Sequence, residues 1–546
     1  MGGSDVGGSD MSGSRDAFFW YCQMDKATTL AALDSGILSK EQARHVANAI
    51  QEVLVRGDGE ASGPNDQNDR SQPRPTDYLE VQAMLREAGG PETSRMHSGR
   101  SRQCMLATLH RCFLRDRFLM IFESLLHVRQ QMLSLGITYA ETLVPAYTNG
   151  VQAQPVTMGH LLCGYESALQ RTGRRMIDAY ERLNRSPLGS AALATTRFPV
   201  NRDQLATLLG FDGCVENAFD AAQIAIVDVG AETAHHASLA ALSLSTFIQD
   251  IHAQFHHARP WVLLDNSRPH GSSSQDTALQ DIASEYTASQ DTSQQENQLA
   301  RSDGLLSPST LMPQKRNPVV LNRARLAASK VLGASFTASL VGHNVNSGMT
   351  DYKRFDAAQT LEETKVLLHE VSDILDAFRV DEDAAAAELA AEFSTTSELA
   401  GFLQERYNIA YAIGHTFASK LVDYARRELL TLRDLSEQTL QTIYRAAATE
   451  HGLEECDRPS DSSSDNSSDS LLNCPLDRAT FLEAIDPRRM VNQYRGLGGS
   501  HPDEVKRLLT KSKEEHSRHT AWFQEVQTAF HQSETNLEKA FEKLRG

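Results

Sequence analysis

Ser309-Thr310-Leu311-Met312-Pro313-Gln314-Lys315-Arg316-Asn317-Pro318 decides how this 546-residue chain is read. Asn317 is placed to cap a helix beginning at Pro318, because proline at a first helical position gives up no N–H that the helix needs. Lys315 then stands just ahead of a helix N-terminus, where positive potential suits carboxylates. Ser309 and Thr310 lie upstream on a segment expected to move, with Met312 at the Met-Pro turn. A hydroxyl, a cation and exposed amides together suit the removal of a proton from a carbon beside a carboxylate, followed by stabilisation of the charge that results.

Other blocks extend this reading along the chain: His97-Ser98-Gly99-Arg100-Ser101-Arg102, Gln154-Pro155-Val156-Thr157-Met158-Gly159-His160, Pro187-Leu188-Gly189-Ser190-Ala191-Ala192-Leu193-Ala194, Leu209-Gly210-Phe211-Asp212-Gly213 and Gly498-Gly499-Ser500-His501-Pro502-Asp503-Glu504-Val505. Together with the 309–318 run they resemble the motifs of the fumarase/aspartase superfamily, most closely the argininosuccinate lyase branch. The resemblance runs in register from about Asp25 to Val505, interrupted by low-complexity segments. It implies a mainly α, three-domain fold with a central bundle of long helices. It also implies a homotetramer whose active sites are each assembled from three subunits.

Composition agrees with part of this. A net charge of −18 opposes a nucleic-acid partner, which would require a basic surface. Seven cysteines without a Cys-x-x-Cys pair fit reduced thiols, and no stretch is apolar for long enough to span a bilayer. The expectation is a cytoplasmic protein with no membrane partner. Residues 1–14, 57–75, 266–303 and 457–473 are rich in Gly, Ser, Asp, Asn or Gln and read as a tail and three insertions. Between them the period is helical: Leu114, Phe118, Ile121, Leu125, Val128 and Met132 step by four and three. Asn217 to Ala258 holds no proline and many small residues, and Pro318–Val341 and Ala357–Phe378 read as further long helices. Such helices expose more than one apolar face, so self-association is expected. In family terms the domains are residues 15–104, 105–355 and 356–546.

By register with the resemblance, Ser309 is the base, with Lys315 beside it, Pro308 in place of a hinge glycine and Thr310 in place of a second serine. Arg100 and Arg102 are candidates to grip a substrate carboxylate in two places. Gln103 stands where the family has asparagine. Thr29, Ser98, Gln154, Thr157, Met312, Asn317 and Lys353 complete the substrate-binding set, with Val345 and Thr350 replacing two of the neighbours of Lys353. Two departures stand out. Thr148-Asn149 replaces Thr-His, and an amide cannot donate a proton to a leaving amine at neutral pH. Gln223-Ile224-Ala225-Ile226 replaces Ser-Asp-Arg-Asp. His252, His256 and His257 have helical spacing, but without an evident third ligand no metal is assigned, and no cofactor either. The expectation is a diverged lyase or synthase joining fumarate with an amine less polar than that of argininosuccinate. The competing readings are a non-catalytic relative that keeps only the bundle, and another elimination on the same scaffold.

Overall fold

The computed structural model describes residues 15–57, 74–265, 305–309, 311–349, 357–453 and 472–546. The low-complexity segments 1–14, 57–75, 266–303 and 457–473 therefore lie almost wholly outside the described residues. The fold is mainly α. Its centre is a bundle of long helices: α4 (Arg102–Thr138), α5 (Met158–Leu183), α7 (Ala225–Gln254), α8 (Val319–Gly342) and α9 (Ala357–Ala377). The face predicted on α4 is buried at every position from Leu114 to Met132 that the spacing selects. α4 starts cleanly because the Ser101 hydroxyl accepts from the Gln103 N–H.

A second core packs α1 (Ala17–Asp34), α2 (Lys40–Gly57) and α3 (Tyr78–Gly89) against the start of α4. A third joins Leu399–Tyr407, Tyr411–Glu428, Glu437–Glu450 and Arg478–Ala484. The boundary expected after residue 355 does not match these cores, because Leu361, Leu368, Val371 and Leu375 of α9 pack into the central bundle. The last helix, Pro502–Arg545, also leaves the C-terminal region. It passes along the bundle, and its Phe530, Leu537, Phe541 and Leu544 join the N-terminal core.

Three two-stranded antiparallel ribbons decorate the bundle among the described residues. β1 (Leu143–Thr148) pairs with β2 (Val151–Thr157), β3 (Val262–Leu264) pairs with Phe378–Val380, and Ser307–Pro308 pairs with Arg316–Asn317. The long stretch expected from Asn217 begins instead with a wider π turn, Asp220–Ile224, before α7 proper. No helix among the described residues is long and apolar enough to cross a membrane.

Inside the bundle, Arg129 of α4 and Glu166 of α5 form a fully buried ion pair at 2.8 Å. Arg129 also donates to Nδ1 of His519 at 2.8 Å, which requires an unprotonated Nδ1. Burial, reinforced by the Arg129 charge, pushes His519 down to about 4, and burial pushes His97 to about 3 and His110 to about 4. Between these values and the ordinary 6.5, the unfolded chain takes up protons that the folded chain refuses. Stability therefore falls as the pH drops below about 6.5. The urea midpoint is expected to be lower at pH 5 than at pH 7, and His519→Gln, whose amide oxygen still accepts from Arg129, should reduce that difference without abolishing it.

Candidate active site

The 309–318 run folds as a small hairpin at the head of α8. Ser307 pairs with Asn317 and Pro308 with Arg316. The Ser309 N–H donates to the Lys315 carbonyl at 3.3 Å, and the Lys315 N–H donates to the Met312 carbonyl at 3.0 Å. The Ser309 hydroxyl accepts from the Met312 N–H at 3.1 Å, which holds the turn. Ser309 is half-buried, Met312 and Lys315 are exposed, and Leu311 is 84% exposed. Thr310 lies outside the described residues. Asn317 does not cap the helix: it is extended in the ribbon, α8 begins one residue later than expected, and its N-cap position is Pro318, with no side-chain cap. The first turn is served instead by the Leu305 carbonyl, which accepts from the Val320 N–H at 3.3 Å.

Thr148 and Asn149 are exposed at the tip of the β1–β2 hairpin. Asn149 (φ 53°) and Gly150 (φ 76°) are both left-handed, the pattern of a two-residue type I′ turn, for which Asn-Gly is the favoured pair. The departure at 149 thus has a backbone reason that the comparison with histidine hides. Gln154 is exposed on β2. Thr157 is fully buried, and its hydroxyl accepts from the His160 N–H at 3.2 Å to cap α5.

Arg102 and Gln103 occupy the first turn of α4. Arg102 is exposed and pairs with Asp77. Gln103 donates to the Ala222 carbonyl at 3.1 Å. Next to it, buried Gln223 donates to the Ala192 carbonyl at 3.0 Å and accepts from the Gly348 N–H at 2.7 Å. The sequence blocks at 97–103, 187–194 and 223–226 and the segment after α8 therefore meet at one junction. Ser98, half-exposed, closes the short 3₁₀ turn before it. Lys353 and Thr350 lie outside the described residues.

Two of the expected residues are held inside the N-terminal core. Arg100 faces inward, with its side chain 2% exposed and 2.7 Å from the buried Asp25 carboxylate. Its guanidinium also donates to the hydroxyls of Thr28 and Tyr78. It is a clasp inside the N-terminal core. Thr29 is fully buried in α1, its hydroxyl bonded to the Asp25 carbonyl at 2.8 Å. Sequence spacing cannot separate Arg100 from Arg102, because what distinguishes them is Asp25, a partner 75 residues away. His257 lies 3.6 Å from Glu388, and no group of three or more potential ligands placed to hold a metal occurs among the described residues.

The remaining candidates stand at two ends of the molecule. At the usual 1.5 Å rise, the 37 residues of α4 put about 55 Å between Arg102 and the hairpin that follows Thr138. Among the described residues no hydrogen bond or ion pair links Arg102 or Gln103 to Ser309, Lys315, Thr148 or Asn149.

Comparison with known proteins agrees with this architecture. A family model described as Lyase matches residues 12–273. Argininosuccinate lyase of Methanocaldococcus jannaschii is 27% identical over 503 residues, covering 91% of this chain and 88% of its own. Argininosuccinate lyase 1 of Shouchella clausii is 27% identical over 482 residues, covering 87% and 82%. The structure of EDDS lyase in complex with formate aligns with a TM-score of 0.77 at 22% identity, over 97% of this chain and 92% of that one. These likenesses support the fumarase/aspartase superfamily, with argininosuccinate lyase the most similar branch. The structure of the 3-carboxy-cis,cis-muconate lactonizing enzyme from Pseudomonas putida aligns with a TM-score of 0.62 at 18% identity, over 93% of this chain and 96% of that one.

The two arginines of the superfamily block should separate experimentally. Arg100→Ala leaves the Asp25 carboxylate buried without its cation, at a cost of about 3–5 kcal/mol. Arg102→Ala removes an exposed pair and should change stability by no more than about 0.5 kcal/mol. Denaturant titration of both variants checks the contrast.

Proposed function

We propose that this superfamily member is a carbon–nitrogen lyase interconverting an N-substituted aspartate with fumarate and a free amine. The observation that carries this reading is the surface hairpin in which Ser309 and Lys315 are held together by backbone bonds, with the Ser309 hydroxyl used only to steady a turn. A hydroxyl so held is released by breaking one hydrogen bond to the Met312 N–H. Arg102 and Gln103, exposed or near the surface at the far end of the bundle, supply what the hairpin lacks, a planar cation and an amide suited to a carboxylate. Bringing both sets to one substrate requires a second chain running antiparallel to the first. A homotetramer with shared sites meets that requirement.

In the elimination direction Ser309, as its alkoxide, takes the proton from the carbon beside a carboxylate and becomes the hydroxyl, while Lys315 and nearby amides hold the developing charge. That carbon's electron pair becomes the alkene as the C–N bond pair leaves on an already protonated nitrogen, which departs as the neutral amine. In the addition direction the amine nitrogen's pair forms the C–N bond, the alkene pair moves to the neighbouring carbon, that carbon takes one proton, and the nitrogen releases one to water. The second direction needs no strong acid at position 149. Both directions pass through one transition state, so Asn149 favours a substrate whose nitrogen leaves without help from an acid, other than argininosuccinate. Asn149 also favours a second reading, a bundle retained without chemistry, because Asn-Gly serves the hairpin turn equally well in an inert protein.

Fumarate absorbance decides between them. Wild-type chain incubated with fumarate and amines, or with N-substituted aspartates, should change fumarate concentration. Ser309→Ala should reduce turnover by at least about 10²-fold with the oligomeric mass unchanged. Full turnover by Ser309→Ala removes the serine base, and silence of the wild type across the panel leaves the inert reading.

A further inference from the structure

The π turn at the start of α7 shapes the surface next to Arg102 and Gln103. The Ala225 N–H donates to the Asp220 carbonyl, a step of five residues, which winds Asp220–Ile224 more widely than an α-helix. At that winding, residues five apart fall on nearly the same side, so Phe219 and Ile224 share a face. Both are large, apolar and open, at 40% and 42% exposed. The 2.7 Å bond from the Gly348 N–H to Gln223 brings Met349, 47% exposed, to the same turn. Gln103 is tied to that turn through the Ala222 carbonyl, so its amide, the neighbouring Arg102 and three exposed apolar side chains lie at one end of the bundle. No charged side chain stands anywhere from Ala221 to Val227. Asp220 and Asp228, which flank this run, already interact electrostatically with the buried Arg111 guanidinium, so a guanidinium or ammonium tail would have to compete for them, whereas a hydrocarbon tail would take exposed apolar surface out of water. The present partner of Arg102, Asp77, is a surface pair of the kind that contributes little in water, so a substrate carboxylate can replace it.

We infer that the amine partner of this reaction carries an apolar substituent, received by Phe219, Ile224 and Met349, while Arg102 and Gln103 hold a carboxylate. The inference rests on the lyase reading above and names the substrate class of that same site. The test uses the full chain with fumarate and a panel of primary amines of similar basicity. One set bears alkyl or aryl groups, and the other bears a guanidinium, as in arginine, or a second ammonium. Apolar amines should exceed arginine in kcat/KM by at least about tenfold. Ile224→Asp and Phe219→Ser, both at exposed positions, should each raise KM for the apolar amine by about tenfold while KM for fumarate stays within about twofold. A preference of the wild type for charged amines overturns the inference, as does an Ile224→Asp variant whose ranking of amines is unchanged. If Ile224→Asp alters the oligomeric mass and not the ranking, the face belongs between copies of the chain and the inference is again overturned. No turnover by the wild type with any amine is a different result, since it removes the lyase reading itself.

Discussion

A packed helix of 37 residues is a rod of about 55 Å, and the rest of this molecule is laid out along it. α4 enters the bundle at Arg102 and leaves it at Thr138, with the Asn-Gly hairpin just beyond. α7 and α8 run between the same two ends, so the junction around Gln223 and the head of α8 are held apart by close-packed side chains. Chemistry that needs groups from both ends has to be met by more than one chain. The exposed apolar side chains along α7 and α8, among them Leu242, Leu326, Phe336 and Leu340, fit a bundle whose outer faces are meant to be covered.

Several motifs that tie this chain to its superfamily are structural in origin. Arg115 of α4 is fully buried. Its guanidinium donates to Asn184 Oδ1 at 3.1 Å and to the carbonyls of Leu209 and Gly210 at 3.2 and 3.0 Å. Its flat face lies against the rings of Trp20, Phe211 and Phe530. The Leu209–Gly213 block is thus the loop that this arginine holds down. Gly210 is left-handed at φ 72°, and a side chain there would meet Phe530. Arg111 works similarly, donating to carbonyls of Arg182, Leu183 and Ala225 and so joining three segments of chain. These guanidiniums fix where the segments they join stand.

The long helices are legible in the sequence because a buried face leaves a period, as the Leu114–Met132 series shows. The 309–318 run stands out in the sequence because serine, lysine and the two prolines lie within ten residues. What the sequence hides depends on partners distant along the chain or on one torsion angle. Asn317 has the character of a cap, but its pairing with Ser307 across the hairpin makes it a strand residue. Arg100 has the character of a ligand, but Asp25 claims it. Asn149-Gly150 carries a strong local signal for a hairpin turn, yet comparison with a histidine draws attention to lost proton transfer and away from backbone geometry. The membership of α9 in the bundle leaves no composition mark, since an amphipathic helix reads alike wherever it docks.

The final helix has a consequence for how the molecule comes into being. Lys26 pairs with Glu538 and Arg15 with Glu534, and Leu544 lies in the same cluster as Phe18. The core built from α1–α3 is therefore completed by residues 512 and 519 positions further along the chain. Until those residues are made, α1–α3 wait with an uncovered apolar flank, a delay that ties their folding to distant synthesis and invites chaperone attention. A nascent chain stalled shortly before residue 530 would hold most of its bundle and still lack a finished beginning.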